Sequence, residues 1–288
     1  MKLELFKTLW GHEGSLEDAA RLCKKSGFSG MECPVPTDAS EKNGLISILE
    51  NFQLELIAEI STETPAGLYV PRPHRTPQQH LDSLRSGIEN CLPAAPRFIN
   101  SMAGYDGWSL PEVLDFHSGV LELEAEYDIP VSVETHRGRS CNNPWRVRDI
   151  LLELPELKIT CDFSHFCVVA ERLVLDEEPE ILTLCADHAF HLQTRVGYSQ
   201  GPQVTDPRAP EYEEALLAHE RWWDVVWKSQ IKRGFEVSTL TPEFGPDGYL
   251  HTLPFTCEPL GDLWEINQWI AHRQRERFTE LFTLDTTI

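Results

Sequence analysis

Four short runs in the C-terminal half hold the side chains that carry proton and cation chemistry. They are Val133-Glu134-Thr135-His136-Arg137, Cys161-Asp162-Phe163-Ser164-His165, His191-Leu192-Gln193-Thr194-Arg195 and Thr241-Pro242-Glu243-Phe244-Gly245. Two Glu, one Asp and one His make a mixed oxygen and nitrogen donor set, suited to a single divalent ion such as Mn, Mg, Co, Fe or Zn. A cation held among three carboxylates offsets the cost of gathering them in a cleft. Singly, each residue has a plainer use. A strand-end carboxylate usually caps a helix or faces water, and a lone His is usually a hydrogen-bonded structural group. Recurrence in four successive runs is what points to a site. Asp162-x-x-His165 adds a second imidazole, and His136 and Arg137 flank Glu134 as candidate substrate contacts. Arg137, Arg139 and Arg195 are strand-end cations able to recognise phosphate, carboxylate or hydroxyl groups, with charge balance the preferred reading for Arg139.

These runs end strands in an alternating pattern. Apolar strand candidates are Leu3–Leu9, Gly30–Cys33, Glu55–Ile60, Arg97–Ser101, Pro130–Glu134, Lys158–Asp162, Ala189–Gln193 and Phe235–Thr239. Helix signals fall between them. Ser15-Leu-Glu-Asp18 reads as a capping box closed by Gly27, Thr76-Pro77 and Ser109-Leu-Pro-Glu112 as further starts, and Asn143-Pro144 as the start of a helix running towards Leu154. Glu177–Ala186, Tyr212–Lys232 and Leu263–Phe282 complete the helices. Eight β/α units with no GxGxxG loop favour one closed (β/α)8 TIM barrel over residues 1–288 rather than a doubly wound sheet. In such a barrel the strand ends converge on one mouth, so the four runs meet. The long stretches Gly197–Pro210 and Thr241–Pro259 lie at that mouth, and Gly245–His251 reads as a shaped loop folding over it.

Composition agrees with a small-molecule enzyme. There are 46 acidic against 25 basic residues, a net charge of −21, which argues against nucleic acid and anionic membrane partners. The eight cysteines include no CxxC pair, and the first residues lack the apolar core of a signal peptide, so a reduced cytoplasmic setting is expected. Trp10, His12, Trp108 and Tyr249 are candidates for an apolar platform on which a ligand ring could stack, with His251 as a further contact; Trp222, Trp223 and Trp227 read as helix–barrel or subunit packing.

The run Glu134-Thr-His-Arg, then Asp162-Phe-Ser-His165, then His191, then Pro242-Glu243-Phe-Gly resembles the xylose isomerase-like barrel superfamily, which includes sugar phosphate isomerases and epimerases. The resemblance extends over the chain in strand order. It implies one divalent metal held by Glu134, Asp162, His191 and Glu243, with His165 and Arg195 on the substrate. It also implies a homo-oligomer paired through outer helices. The endonuclease IV branch does not fit, because strands two and four end in Glu32-Cys33 and Asn100-Ser101 instead of His, and Asp206-Pro-Arg208 replaces its Asp-x-His.

The activity implied is isomerisation or epimerisation of a sugar, sugar phosphate or sugar acid. The metal would stabilise an enediolate while Glu134 and Glu243 move the proton; a metal-assisted hydride shift is the other route. A metal-dependent hydrolase or lyase, or a non-catalytic small-molecule binder, are the competing classes.

Overall fold

Residues 1–65, 70–246 and 248–284 are described by the computed structural model. Short apolar runs form eight strands: β1 Lys2–Thr8, β2 Gly30–Cys33, β3 Glu55–Ser61, β4 Phe98–Met102, β5 Val131–Glu134, β6 Lys158–Cys161, β7 Ala189–Gln193 and β8 Val237–Thr241. All pair in parallel in chain order, and β1 closes on β8 with Lys2 opposite Val237 and Leu5 opposite Leu240. The molecule is therefore a (β/α)8 barrel, as the alternation implied.

The helices among the described residues are α1 Leu16–Ser26, α2 Ala39–Phe52, α3 Pro77–Cys91, α4 Leu110–Tyr127, α5 Pro144–Glu153, α6 Ser164–Ala170, α7 Pro179–His188, α8 Glu213–Lys232 and α9 Leu263–Leu284. Their starts follow local chemistry. The Ser15–Asp18 and Thr76–Gln79 pairs form capping boxes, Gly27 ends α1 in the left-handed region at φ 71°, and Asn143 Oδ1 accepts the Arg146 N–H at 2.8 Å. Two helices lack a named sequence signal. Asp38 Oδ1 caps α2 by accepting the Ser40 and Glu41 N–H groups, and the short α6 begins directly after Asp162. Strand eight lies two residues later than the 235–239 expected, because Phe235 N–H still bonds Gln230 O in the turn that closes α8.

The N-terminal end of the barrel is plugged by Phe6, Ile57 and Phe98, with Phe190 against them. Polar side chains occupy the interior above this plug, and the apolar core between strands and helices surrounds it. Trp222, Trp223 and Trp227 are buried within this chain, and Trp222 Nε1 donates to Asp176 at 2.9 Å, so they pack helix against barrel. All eight cysteines are free thiols and only Cys257 is exposed. No helix of the described residues is long and apolar enough to cross a membrane.

Candidate active site

A cavity of about 470 Å³ opens at the C-terminal mouth, a size suited to a small organic ligand. Glu134, His136, Arg195 and Glu243 line it, together with Glu59, Asn100, Met102, Trp10 and Tyr249. Strand ends supply most of the polar groups. Glu134 is the last residue of β5; Glu243 follows β8 by two residues; Glu59 and Asn100 point inward from β3 and β4.

The segment bearing Glu243 is clamped on both sides. Asn267 of α9 accepts the Phe244 N–H and donates to the Phe244 carbonyl, at 2.8 and 2.9 Å. Gln203 makes the same reciprocal pair with Gly245, at 2.9 and 3.1 Å. Gly245 also permits Trp10 to lie directly against the backbone, since a Cβ there would meet the indole at 2.0 Å. Trp10 and Tyr249 then stand edge to face, ring centroids 5.0 Å apart, as the apolar wall of the cavity.

Asp162 does not line the cavity. It is wholly buried, with Oδ1 accepting the Ser164 N–H at 3.0 Å and the Ser164 hydroxyl, and its backbone N–H donating to Thr135 Oγ1 at 2.9 Å. Arg195 bridges from Asp162 to the cavity. Its Nη2 donates to Asp162 Oδ2 and to His165 Nε2, the latter at 2.7 Å, and lies 3.4 Å from Glu243 Oε2.

The structure does not bring His191 to these carboxylates. Nε2 donates to Glu32 Oε2 at 3.1 Å and Nδ1 accepts from Thr239 Oγ1 at 2.8 Å, one layer deeper in the barrel. The β7 side chain that reaches Glu243 is Gln193, opposite Thr241, whose Nε2 donates to Glu243 Oε1 at 3.0 Å and Glu32 Oε1 at 3.2 Å. Of the four ligands implied by the resemblance, three carboxylates, Glu134, Asp162 and Glu243, come together. Their oxygens lie within 4.8 Å of one another, a grouping of the kind that could hold a metal ion. Glu134, His136 and His165 form a second such grouping. The first grouping already has a guanidinium bonded into it, so this arrangement does not fit the ion of the resemblance.

Of the expected substrate contacts, His136 and Arg195 line the cavity, whereas His165 is buried behind His136 with ring centroids 4.0 Å apart. Arg137 lies over the Tyr249 ring at 5.2 Å and is not in the lining. Arg139 is buried and donates to Thr62 O at 2.9 Å and Thr64 Oγ1 at 2.7 Å, tying the loop after β3 to the loop after β5. Of the platform candidates, Trp108 is spent on packing: Nε1 donates to Arg75 O and its ring meets His80. His12 bonds Ser15 O, and His251 Nδ1 pairs with Thr205 Oγ1, both away from the cavity.

Two further carboxyl groups face the barrel interior without a signal in the sequence: Glu32 beneath the site and Glu59 in the cavity lining. Glu32 accepts from Asn100 Nδ2 at 2.7 Å, from Gln193 and from His191, which makes it the hub beneath the site. Burial alone would raise its pKa, but the His191, Thr241 and Asn100 contacts hold it below the usual value. The others move the opposite way. Burial and then Asp162 push Glu134 up to about 8. Burial, with Glu134 and Asp162 nearby, pushes Glu243 well above the carboxylate range despite Arg195. Burial, Glu32 and Glu134 do the same to Glu59. His136 is held neutral by burial and by Arg139 and Arg195. The cavity thus sets carboxyl groups whose pKa values burial raises beside one firmly charged guanidinium.

No protein-family model matches the chain, and no curated protein matches it in sequence. Solved structures do match in fold. D-allulose 3-epimerase from Methylomonas sp., in complex with D-allulose, aligns over 95% of this chain and 97% of its own, with TM-score 0.61 and 11% identity. A xylose isomerase-like TIM barrel protein from Mycobacterium smegmatis, in complex with magnesium, aligns over 95% and 97%, with TM-score 0.56 and 9% identity. The probable 3-DHS dehydratase AsbF from Bacillus anthracis aligns over 86% and 95%, with TM-score 0.55 and 16% identity. The fold is that of the xylose isomerase-like TIM barrels.

Proposed function

We propose that the protein is an enzyme that isomerises or epimerises a sugar or sugar derivative by moving the proton on the carbon next to its carbonyl. Glu134 and Glu243 are the acid–base pair. The observation that carries this reading is that these two buried carboxyl groups face one cavity from the ends of β5 and β8, with raised pKa values and the Arg195 guanidinium 3.4 Å from Glu243.

One carboxylate takes the α-proton, the C–H electrons pass to the carbonyl oxygen, and an enediolate forms. The other carboxyl group returns a proton to the opposite face or to the neighbouring carbon. Arg195 lines the cavity and supplies positive charge to the developing oxyanion. Trp10 and Tyr249 offer a sugar ring its apolar wall. The epimerases among the structures of the same fold support a sugar as substrate. Of the divalent ion implied by the resemblance, the donor set keeps the three carboxylates and lacks the His191 imidazole. The free thiols support a reducing, cytoplasmic setting.

A dehydratase appears among the structures of this fold, and the same α-proton removal followed by loss of a β-hydroxyl would be an elimination. Product mass separates the two readings. The test is incubation with ketoses and aldoses, phosphorylated and free, in deuterium oxide. Deuterium incorporated next to the carbonyl without mass loss is expected, and it disappears in Glu134→Gln and Glu243→Gln. A full panel without exchange rejects the proton-transfer reading.

A further inference from the structure

The buried carboxylates at the mouth already hold a cation of the chain's own. Arg195 is 2% exposed, and all three of its guanidinium nitrogens are bonded. Nε donates to Ser164 Oγ at 3.1 Å, Nη1 to the Glu243 carbonyl at 3.3 Å, and Nη2 to Asp162 Oδ2 and His165 Nε2. The guanidinium carbon stands 4.9 Å from the Tyr249 ring and 5.6 Å from Trp10, so aromatic faces hold the plane as well.

We propose that the Arg195 guanidinium is the resident cation of this barrel, standing where the resemblance puts a divalent ion. Two further features agree. The imidazole of β7 is committed to Glu32 and Thr239, and the strand side chain that reaches Glu243 is Gln193, whose amide N–H donates to Glu243 Oε1. That amide N–H occupies a carboxylate oxygen that the resemblance gives to the metal. In addition, the His165 Nε2 lone pair, a ligand atom in a metal site, accepts from Arg195. A guanidinium has five N–H donors, and four are used by these partners. The fifth is available to a substrate oxygen in the cavity that Arg195 lines. A fixed planar donor of constant charge can stabilise an enediolate oxygen without a metal.

The assignment rests on the proposed reaction only for its chemical purpose; the cation itself is read without turnover. The test is elemental analysis of wild-type protein purified from metal-supplemented medium, with thermal melts in Mn²⁺, in Mg²⁺ and after EDTA. Expected are substoichiometric metal and a Tm that neither ion nor chelator moves. The double substitution Arg195→Ala with Gln193→His removes the guanidinium and returns an imidazole, and its Tm is expected to rise by several degrees with Mn²⁺. Wild-type protein that carries stoichiometric metal, or whose Tm rises with either ion, overturns the proposal. If the double variant does not fold, titration of wild type with Mn²⁺ followed by electron paramagnetic resonance decides. Free-ion signal throughout supports the assignment and bound ion refutes it. A failed sugar-exchange panel would sink the reaction and leave these metal measurements unaffected.

Discussion

His191 Nε2 lies 3.1 Å from Glu32 Oε2, and this contact keeps the β7 imidazole one layer below the carboxylates at the mouth. Both side chains are fully buried, so neither finds water as a substitute partner. His191→Ala is expected to destabilise the protein by about 2–4 kcal/mol, from a lost hydrogen bond to a charged group plus a cavity. Glu32→Gln removes the charge and keeps an acceptor, so the double variant recovers part of that loss. Urea unfolding of the two single variants and the double gives the coupling. Strictly additive losses would show that the pair is not a unit.

How much of this was legible follows from the strand period. Glu134 and Glu243 could be placed because the strands preceding them are clear apolar runs and their ends point to one mouth. On β7 the in-pointing residues are 191, 193 and 195, all on one face by the two-residue period, and spacing alone does not say which reaches the mouth. The height is fixed by pairing, with Gln193 opposite Thr241. Glu32 and Glu59 were lost among 46 acidic residues, since a carboxylate on an early strand looks the same whether it faces solvent or the barrel axis. Trp10 and Trp108 are equally indistinct by type. What separates them is that Gly245 makes room for Trp10 over the cavity, while Trp108 finds Arg75 O and His80.

The two proposed catalytic carboxyl groups are expected to cost stability rather than provide it. Glu134→Gln and Glu243→Gln each should lower turnover roughly 10²–10⁴-fold, the scale of general acid–base catalysis. Because burial raises the folded-state pKa of Glu243, the folded protein binds a proton there more tightly than the unfolded chain does. That group destabilises the fold increasingly as pH rises above the unfolded value. Glu243→Gln should therefore raise Tm, and raise it more at pH 8 than at pH 5. An equal shift at both values would contradict the raised pKa.

Gly197 holds the chain two residues after Arg195 against Ser164. A Cβ there would lie 2.5 Å from the Ser164 carbonyl oxygen and 2.7 Å from its Cα, backbone atoms that cannot swing aside. Ser164 in turn bonds both Asp162 and Arg195. Gly197→Ala is expected to destabilise by about 1–3 kcal/mol through overpacking and to lower turnover, because the strain falls on the Arg195 anchor. Gly234→Ala, at φ 81° with nothing within 4 Å, is the control that strains backbone alone. Turnover reduced equally by both would remove the special role of the Ser164 contact.

Buried histidines, His219, His80 and His117 among them, weaken the fold on the acid side. Burial holds His219 down to about 4, His80 down to about 4 and His117 down to about 3. His219 shows why. Nδ1 donates to Ala215 O at 2.8 Å, so Nε2 is the acceptor of the Gly197 N–H at 3.2 Å and has no room for a proton. The unfolded chain, with an ordinary value of about 6.5, binds a proton in the window between 6.5 and 4 that the folded state does not. Stability is thus complete above pH 6.5 and falls as pH drops through that window, by about 1–2 kcal/mol at pH 5 for His219 alone. His219→Gln keeps an acceptor and removes the titration. It should be less stable than wild type at pH 7.5 yet lose less between pH 6.5 and 5, measured as urea-unfolding free energy against pH. Parallel curves would show that His219 does not carry the acid sensitivity. A steeper loss in wild type would tie the failure to the Gly197 anchor, and through it to the segment that carries Arg195.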